Sequence, residues 1–131
     1  MADLLRTHDW RGSALGPVED WPVELRCAVV AMLDSPYPQR LLWGPSLVQV
    51  YNDAFRPALA RNHPGALGQP ASGCWPETWA VQEPIFRRVL EAGECVSLVD
   101  QPFEVVPSDV AAVRRFDTVY APVRLADGRV G

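Results

Sequence analysis

Residues 43–55 constrain the fold of this 131-residue chain more than any other segment. Gly44-Pro45 is a dipeptide typical of a turn, and residues 48–51 form a short run rich in side chains that favour β-strands. Asn52 follows at once and can cap a helix that begins near Asp53, whose charge suits a helix N-terminus. The pattern therefore predicts a hairpin that passes directly into a short helix and forms one wall of a cavity, with strands at 39–43 and 47–51 and a helix at 53–60.

Composition limits the kinds of partner that the chain can have. Apolar residues make up 48% of it and charged residues 21%, which are ordinary proportions for one soluble globular domain. The net charge of −4 disfavours a nucleic-acid surface, and no Lys/Arg-rich amphipathic stretch is available to bind an anionic membrane. The first residues lack the pattern that predicts a signal peptide, and the sequence has no apolar run of the roughly 18 residues that a membrane span needs. These features predict a cytoplasmic protein.

The cysteines are three in number and widely spaced, at Cys27, Cys74 and Cys95. An odd set with this spacing fits neither a disulfide framework nor a zinc site. In a reducing compartment the simplest interpretation is free, mostly buried thiols. No pair of His, Cys or Asp residues has the spacing of metal ligands, so we predict no metal site.

The N-terminal part of the chain consists of two predicted segments. Residues 1–20 are polar and rich in turns, which predicts an irregular arm. An apolar stripe at helical spacing then predicts a flanking helix at 21–34, within a segment 21–35. The stripe packs either on its own domain or against a second copy of the chain, since a two-fold contact needs a self-complementary face. The candidates for this dimer contact are Leu25, Val29, Met32 and Leu33.

The C-terminal half changes from helical to strand periodicity. A long helix is predicted at 76–92, with a kink or a break at Pro84. The pattern after it predicts strands at 95–106 and 114–124, a turn at 107–109 and a hairpin turn at 126–129.

Short motifs along nearly the whole chain resemble those of a PAS domain, of the kind found near the N-terminus of bacterial histidine kinases and related signalling proteins. The motifs are Asp9-Trp10, Leu15-Gly16-Pro17, Trp21-Pro22-Val23-Glu24-Leu25-Arg26, Trp43-Gly44-Pro45, Tyr51-Asn52-Asp53-Ala54-Phe55-Arg56-Pro57, His63-Pro64-Gly65-Ala66-Leu67-Gly68, Trp75-Pro76-Glu77-Thr78-Trp79, Tyr120-Ala121-Pro122-Val123 and Asp127-Gly128-Arg129-Val130-Gly131. Each motif alone is weak, and their common order along the chain carries the resemblance.

The resemblance implies an α+β protein with the PAS fold, in which helices pack on one face of a five-stranded antiparallel sheet. The core would occupy residues 36–131 and lack most of its last strand, because that strand would begin near residue 130. In the family this strand lies between the first and the fourth, so we expect irregular pairing or strand exchange there. The chain also departs from the family at Ala60-Arg61, where a Leu-Gly pair is usual, and in residues 107–114.

This chain lacks the residues that bind the cofactors of known PAS sensors. A haem sensor needs an axial histidine on the long helix, and the only histidines are His8 and His63. A flavin photosensor needs a reactive cysteine in a polar helix-start motif, and the residues around Cys74 do not form one. We therefore predict no haem, no flavin and no other named cofactor, and leave open an unknown small organic ligand.

Aromatic residues lie on the elements that would line the inner face of the sheet. One alternative makes them plain core, and the other makes some of them the wall of a ligand pocket, because such pockets combine apolar walls with a few polar groups. The candidates for this pocket are Trp43, Tyr51, Asn52, Phe55, Trp75, Trp79, Phe86, Phe116, Thr118 and Tyr120.

The function that the resemblance implies is a sensory module without catalytic residues. It would bind a small molecule or a partner and pass a conformational change to an effector domain, such as the histidine kinase of a two-component system, and it would act as a homodimer in the family's manner. The alternative is a ligand-free module for protein interaction and dimerisation. A third possibility is an enzyme with Cys74 as nucleophile and His63 as base, assisted by Asp53 or Glu77.

Overall fold

The computed structural model describes residues 1–105 and 112–131 of the chain. In these residues it is an α+β protein, which confirms the predicted fold class at that level. The helices are α1 (Ala2–Thr7), α2 (Val23–Asp34), α3 (Arg56–Leu59), α4 (Ala71–Cys74) and α5 (Pro76–Ala92), and the strands are β1 (Arg40–Trp43), β2 (Val48–Tyr51), β3 (Val96–Val105) and β4 (Ala112–Tyr120). None of the helices in the described residues has the length and apolarity to cross a membrane.

The chain divides into two compact units, Met1–Trp75 and Pro76–Gly131. This division falls inside the segment 36–131 for which a single core was predicted. The described strands form two antiparallel sheets of two strands each, β1 with β2 in the first unit and β3 with β4 in the second.

The tight turn at Gly44 sets the register of the first hairpin. Arg40 pairs with Tyr51, and Trp43 pairs with Val48. Gly44 has a φ of 71°, a conformation that glycine adopts without a steric penalty, and its carbonyl accepts a hydrogen bond from Leu47 N–H at 2.9 Å. Strands predicted at 39–43 and 47–51 are therefore confirmed to within one residue at each start.

β2 is the most buried element of the first unit because both of its edges are occupied. On the side away from β1, residues 68–71 run along it: Gly68 N–H donates to Gln49 C=O, and Gln49 N–H donates to Gln69 C=O, both at 3.0 Å. Ala71 N–H donates to Leu47 C=O at 3.0 Å. All four residues of β2 are consequently buried.

α2 lies against β1 and β2 and buries the predicted apolar stripe in the first unit. Leu25, Val29 and Met32 are 1%, 7% and 4% exposed, and Leu33 is half-buried. Side chains that are already covered in one chain have little surface left for a second copy. The burial thus favours the alternative in which the stripe packs on its own domain.

On the opposite face of α2, the structure differs from the prediction made for the cysteines. Cys27, one of the thiols predicted to be mostly buried, is exposed, because it lies two residues from both Leu25 and Val29 and so points to the other side of the helix. Cys95 is exposed as well, and Cys74 is half-buried, so the prediction of mostly buried thiols was wrong.

The first 20 residues are more regular than predicted. They contain α1 and two 3₁₀ turns, Trp10–Gly12 and Val18–Asp20. Trp10 is buried, its indole N–H donates to Leu5 C=O at 2.8 Å, and its ring meets that of Trp21 edge-on at 4.8 Å. These contacts stabilise a helix of only six residues, which is too short to form on propensity alone.

Asn52 joins three elements of the first unit and is 1% exposed. Its Oδ1 accepts from Phe55 N–H at 3.1 Å, which is the predicted helix cap, and from Gln39 N–H at 3.0 Å. Its Nδ2 donates to the carbonyl oxygens of Met32, Ser35 and Tyr37 at 3.1, 3.2 and 2.7 Å. The side chain therefore ties the end of α2 and the start of β1 to the end of β2.

The second unit pairs α5 with the β3–β4 hairpin. α5 runs unbroken through Pro84, so a break there was wrong. β3 and β4 pair antiparallel from Val96 with Tyr120 onward, with an irregularity between Leu98 and Gln101. The predicted turn at 107–109, and part of the departure at 107–114, lie outside the described residues.

The last residues of the second unit form a tight turn, as predicted for 126–129. Leu125 N–H donates to Arg129 C=O at 2.8 Å, and Arg124 bridges Val130 in antiparallel fashion.

Candidate functional site

The polar face of the first hairpin carries the chemistry of the first unit. Successive side chains of a strand point to opposite faces, so Gln49 and Tyr51 share one face and Val48 and Val50 the other. The register places Arg40 opposite Tyr51, and therefore on the polar face. His63, from the loop after α3, and Cys74, from α4, interact with this face. We call Gln49, Tyr51, His63 and Cys74 the polar cluster.

Tyr51 is the centre of the polar cluster and is fully buried. Its Oη lies 3.0 Å from His63 Nδ1 and 3.5 Å from the carbonyl oxygen of Pro64. Burial, together with the nearby Cys74, raises the pKa of Tyr51 to about 12, against an opposing effect of Arg56. The phenol is thus neutral at physiological pH and acts as a hydrogen-bonding group.

His63 is half-buried, and its ring meets that of Tyr51 edge-on at 5.8 Å. Burial lowers the pKa of His63, and the positive charge of Arg56 lowers it further. The imidazole is therefore mainly neutral at pH 7. When its proton is on Nε2, the Tyr51 hydroxyl donates to Nδ1.

Cys74 has the environment of a thiol rather than a thiolate. Burial raises its pKa, while Gln49 and Arg40 lower it by smaller amounts. Among the described residues no hydrogen bond joins Cys74 to His63, whose Nδ1 instead meets Tyr51. This arrangement does not support the hypothesis of Cys–His catalysis, which requires an activated nucleophile in contact with its base.

Asp53 forms no hydrogen bond with His63 among the described residues, although its negative charge opposes the lowering of the His63 pKa. It is mostly exposed and forms ion pairs with the N-terminal ammonium of Met1 at 2.8 Å and with Arg56 at 3.2 Å. The hydrogen bond from this ammonium is the main cause of the lowered pKa of Asp53. The Asp53 carboxylate is therefore part of a surface ion-pair network near the N-terminus of α3.

Gln49 is the least satisfied side chain of the polar cluster. It is 0% exposed, yet neither its Oε1 nor its Nε2 has a hydrogen-bond partner of normal geometry among the described residues. Its amide makes a weak hydrogen-bond contact with the Cys74 thiol, which lowers the pKa of that thiol, but the geometry is outside the normal range and sulfur is a weak acceptor, so this contact does not satisfy the amide. A buried unpaired polar group costs about 1–3 kcal/mol, so the unpaired amide of Gln49 is unfavourable for the stability of the first unit.

An aromatic and cationic border surrounds part of the polar cluster. Phe55 lies 6.4 Å from Tyr51 between ring centroids, and the Arg40 guanidinium carbon lies 5.5 Å from the centroid of the Phe55 ring. The two side chains form a cation–π contact beside Tyr51.

The predicted pocket residues fall into both units. In the first unit Tyr51 and Phe55 lie together, whereas Trp43 is on the other face of the hairpin and Asn52 is a buried structural corner. Trp75 is half-buried, and its Nε1 has no hydrogen-bond partner among the described residues.

In the second unit the predicted residues form one aromatic cluster with two outliers. Phe86 lies 5.8 Å from Trp79 and 5.5 Å from Tyr120 between ring centroids. Thr118 is half-buried, and its Oγ1 has no partner within the described part of the chain. Phe116 is 40% exposed, which is more open than a pocket wall requires.

Three members of the polar cluster, Gln49, His63 and Cys74, were not predicted as pocket residues. Gln49 could have been identified as a site residue from the sequence. It is the one amide in the buried strand Val-Gln-Val-Tyr, and it lies two residues before Tyr51, hence on the same face of the strand. His63 was considered only as a base or a loop residue. Its contact with Tyr51 depends on a fold-back of the chain that local pattern does not reveal.

Metal chemistry has no assembled donor set here: in residues 1–105 and 112–131 no group of three His, Cys, Asp or Glu side chains could hold an ion. In comparisons with known proteins, no family model matches the chain and no curated protein matches it significantly.

The raised pKa of Tyr51 predicts a specific alkaline instability. Above pH 10 the tyrosine of the unfolded chain ionises while the buried phenol does not, so stability that is present below pH 10 is lost as the pH rises toward about 12. We expect the stability advantage of wild type over Tyr51→Phe to shrink by about 2 kcal/mol between pH 9 and pH 12. Urea unfolding followed by circular dichroism measures this difference.

Tyr37→Phe, at a side chain that is 75% exposed, is the matched control for loss of a tyrosine hydroxyl. A wild-type advantage over Tyr51→Phe that stays constant from pH 9 to pH 12 would show that the phenol is not held neutral by the fold.

Proposed function

We propose that the chain is a sensory module of the PAS type, which binds a small molecule and passes a conformational change to an effector domain. The observation that carries this proposal is Gln49, a fully buried carboxamide with both polar atoms unpaired among the described residues. Folded proteins pair nearly all such groups with protein or with a bound molecule. A fully packed, ligand-free core gives no reason for this side chain.

Further unpaired atoms in each unit, considered separately, support ligand binding. Trp75 Nε1 in the first unit lacks a partner, as do Gln82 Oε1 and Thr118 Oγ1 in the second, within the described residues. Trp75 and Thr118 had been predicted as pocket residues from the sequence. The element order also agrees with the proposal: a helix, a hairpin, short helices, a long helix and a second hairpin follow one another.

The signal would arise as a shift between two populations of the domain. A ligand that pairs with Gln49 stabilises the conformation in which the hairpin, α3 and α4 enclose it. Asn52 links β2 to the end of α2, so a change at the polar face has a direct route to the flanking helix. An effector such as a histidine kinase would read the position of that helix, and cytoplasmic location would suit this role.

Native mass spectrometry of the gently purified protein tests the proposal. We expect a non-covalent species of constant small mass that is released when the protein is denatured. A chain that carries no such species, and whose melting temperature is unchanged by a broad panel of metabolites, would contradict the sensory proposal.

The second candidate function is a ligand-free interaction module, and the outer face of α2 favours it. Val23 and Val30 are 58% and 59% exposed on that face, with Cys27 between them, and Tyr37 just beyond the helix is 75% exposed. Exposed apolar side chains that lie together are typical of contact surfaces. The same mass spectra separate the two candidates, since an interaction module would appear as ligand-free oligomers.

A further inference from the structure

We propose that Gln49 recognises a neutral ligand through an amide edge, meaning a primary amide or lactam that presents one hydrogen-bond donor beside one acceptor. The inference deepens the proposed function and rests on it, because it names the chemical class of molecule that the first unit would bind. It starts from the two atoms of one side chain, Oε1 and Nε2, which are both buried and have no hydrogen-bond partner of normal geometry among the described residues, the weak contact with the Cys74 thiol apart.

The two unpaired atoms require opposite partners. Oε1 needs a donor, and Nε2 needs an acceptor. A carboxylate offers acceptors alone and leaves Oε1 unpaired, whereas an ammonium offers donors alone and leaves Nε2 unpaired. An amide edge supplies one of each at the spacing of the carboxamide itself. Since both atoms are unpaired, the conclusion is the same whichever way the Gln49 amide is turned.

The surroundings of Gln49 favour an uncharged ligand. The side chain is 0% exposed, and burial disfavours charge on any group placed beside it. The neighbouring Tyr51 and Cys74 are held in their neutral forms by the same burial, since the pKa of each is raised. Arg40 and Arg56 act on the polar cluster from its border, which would favour an anion. Arg56, however, is already paired with Asp53.

The local backbone cannot relieve Gln49. Its own N–H and C=O are bonded to residues 68–69, and Leu42 opposes it on β1. The nearest polar side chain that acts on it is Cys74, which is a weak partner. A molecule placed against Gln49 would therefore meet a thiol and a phenol, and it would be held mainly by the two amide contacts.

The test uses 2-pyridone as the probe, because its lactam edge is rigid and its relatives change one feature at a time. N-methyl-2-pyridone keeps the shape and the acceptor but lacks the donor, and benzoate replaces the edge with a carboxylate. Binding is followed by ¹H–¹⁵N NMR of the full chain, with the Gln49 side-chain amide signal assigned by its loss in Gln49→Leu. We expect a saturable shift of this signal with 2-pyridone and at least tenfold weaker binding of the other two probes.

Gln49→Leu should lose the binding of 2-pyridone by at least tenfold while remaining folded, since it removes two unpaired atoms and keeps an apolar side chain of similar size. Gln49→Met serves as a second variant if the branched side chain does not fit. Unchanged 2-pyridone binding in either folded variant would overturn the inference, and so would tighter binding of benzoate than of 2-pyridone.

Three further outcomes separate this inference from the proposed function. A co-purified small molecule that Gln49→Leu retains would overturn the role of Gln49 and leave the sensory module intact. The inference would also be overturned if the Gln49 side-chain amide signal showed NMR contacts to a bound water alone and did not shift with any probe. The absence of any ligand in mass spectra and in the metabolite panel would instead contradict the proposed function itself.

Discussion

Asn52→Ala is expected to lower the free energy of unfolding by about 3–5 kcal/mol. The substitution removes a side chain that is 1% exposed and leaves two backbone N–H groups and three carbonyl groups without it. One amide nitrogen has two protons and cannot serve three carbonyls fully, so the effect is smaller than five separate hydrogen bonds would give. Because a domain of this size is stable by about 5–15 kcal/mol, a large fraction of its stability is at stake.

Two variants make the Asn52 prediction specific, and urea unfolding at pH 7 measures all three. Asn52→Asp keeps acceptors for Gln39 and Phe55 but turns a carboxylate oxygen toward the carbonyls of Met32, Ser35 and Tyr37, so we expect it to be strongly destabilised too. Asp53→Ala, next in the chain, loses the ion pairs of a mostly exposed carboxylate and should cost less than about 1 kcal/mol. A loss below about 1 kcal/mol for Asn52→Ala would contradict the corner role, and a stable Asn52→Asp would contradict the role of the donors.

The same residue shows how far the sequence alone could lead. That Asn52 caps a helix was predictable, because a short polar side chain after a strand and before a helical run has a local role in satisfying the first N–H groups. Its bonds to Met32, Ser35 and Tyr37 were not predictable, since the partners lie 15 to 20 residues away and exist only once α2 has docked. Local periodicity likewise located α2, α5 and the first hairpin.

Other features depend on contacts that the pattern does not encode. α1 is a short polar segment stabilised by the buried Leu5 and by the indole of Trp10, so tertiary packing overrides its weak propensity. Residues 68–71 contain Gly68 and Pro70, residue types that disfavour a strand, yet they pair with the free edge of β2. The candidate site follows the same rule: its aromatic members were predictable as a class, whereas the unpaired state of Gln49 is a property of three-dimensional packing.

The other large effect is expected on α2, where Val29→Asp should lower the free energy of unfolding by about 4 kcal/mol or more, enough to unfold much of the protein. Val29 is 7% exposed, whereas the adjacent Val30 is 59% exposed on the outer face of α2. The two positions lie in the middle of one helix and have equal helix propensity, so Val30→Asp is a matched control. We expect Val30→Asp to change stability by about 0.5 kcal/mol or less.

Far-UV circular dichroism and urea unfolding at pH 7 measure the Val29 and Val30 pair, and sedimentation analysis adds the state of association. If the stripe of Leu25, Val29 and Met32 served mainly as a dimer contact, Val29→Asp would give a folded monomer with nearly wild-type unfolding. That outcome would contradict the packing of α2 on β1 and β2. Dissociation of an oligomer by Val30→Asp with no loss of stability would instead place the contact surface on the outer face of α2, beside Val23 and Cys27.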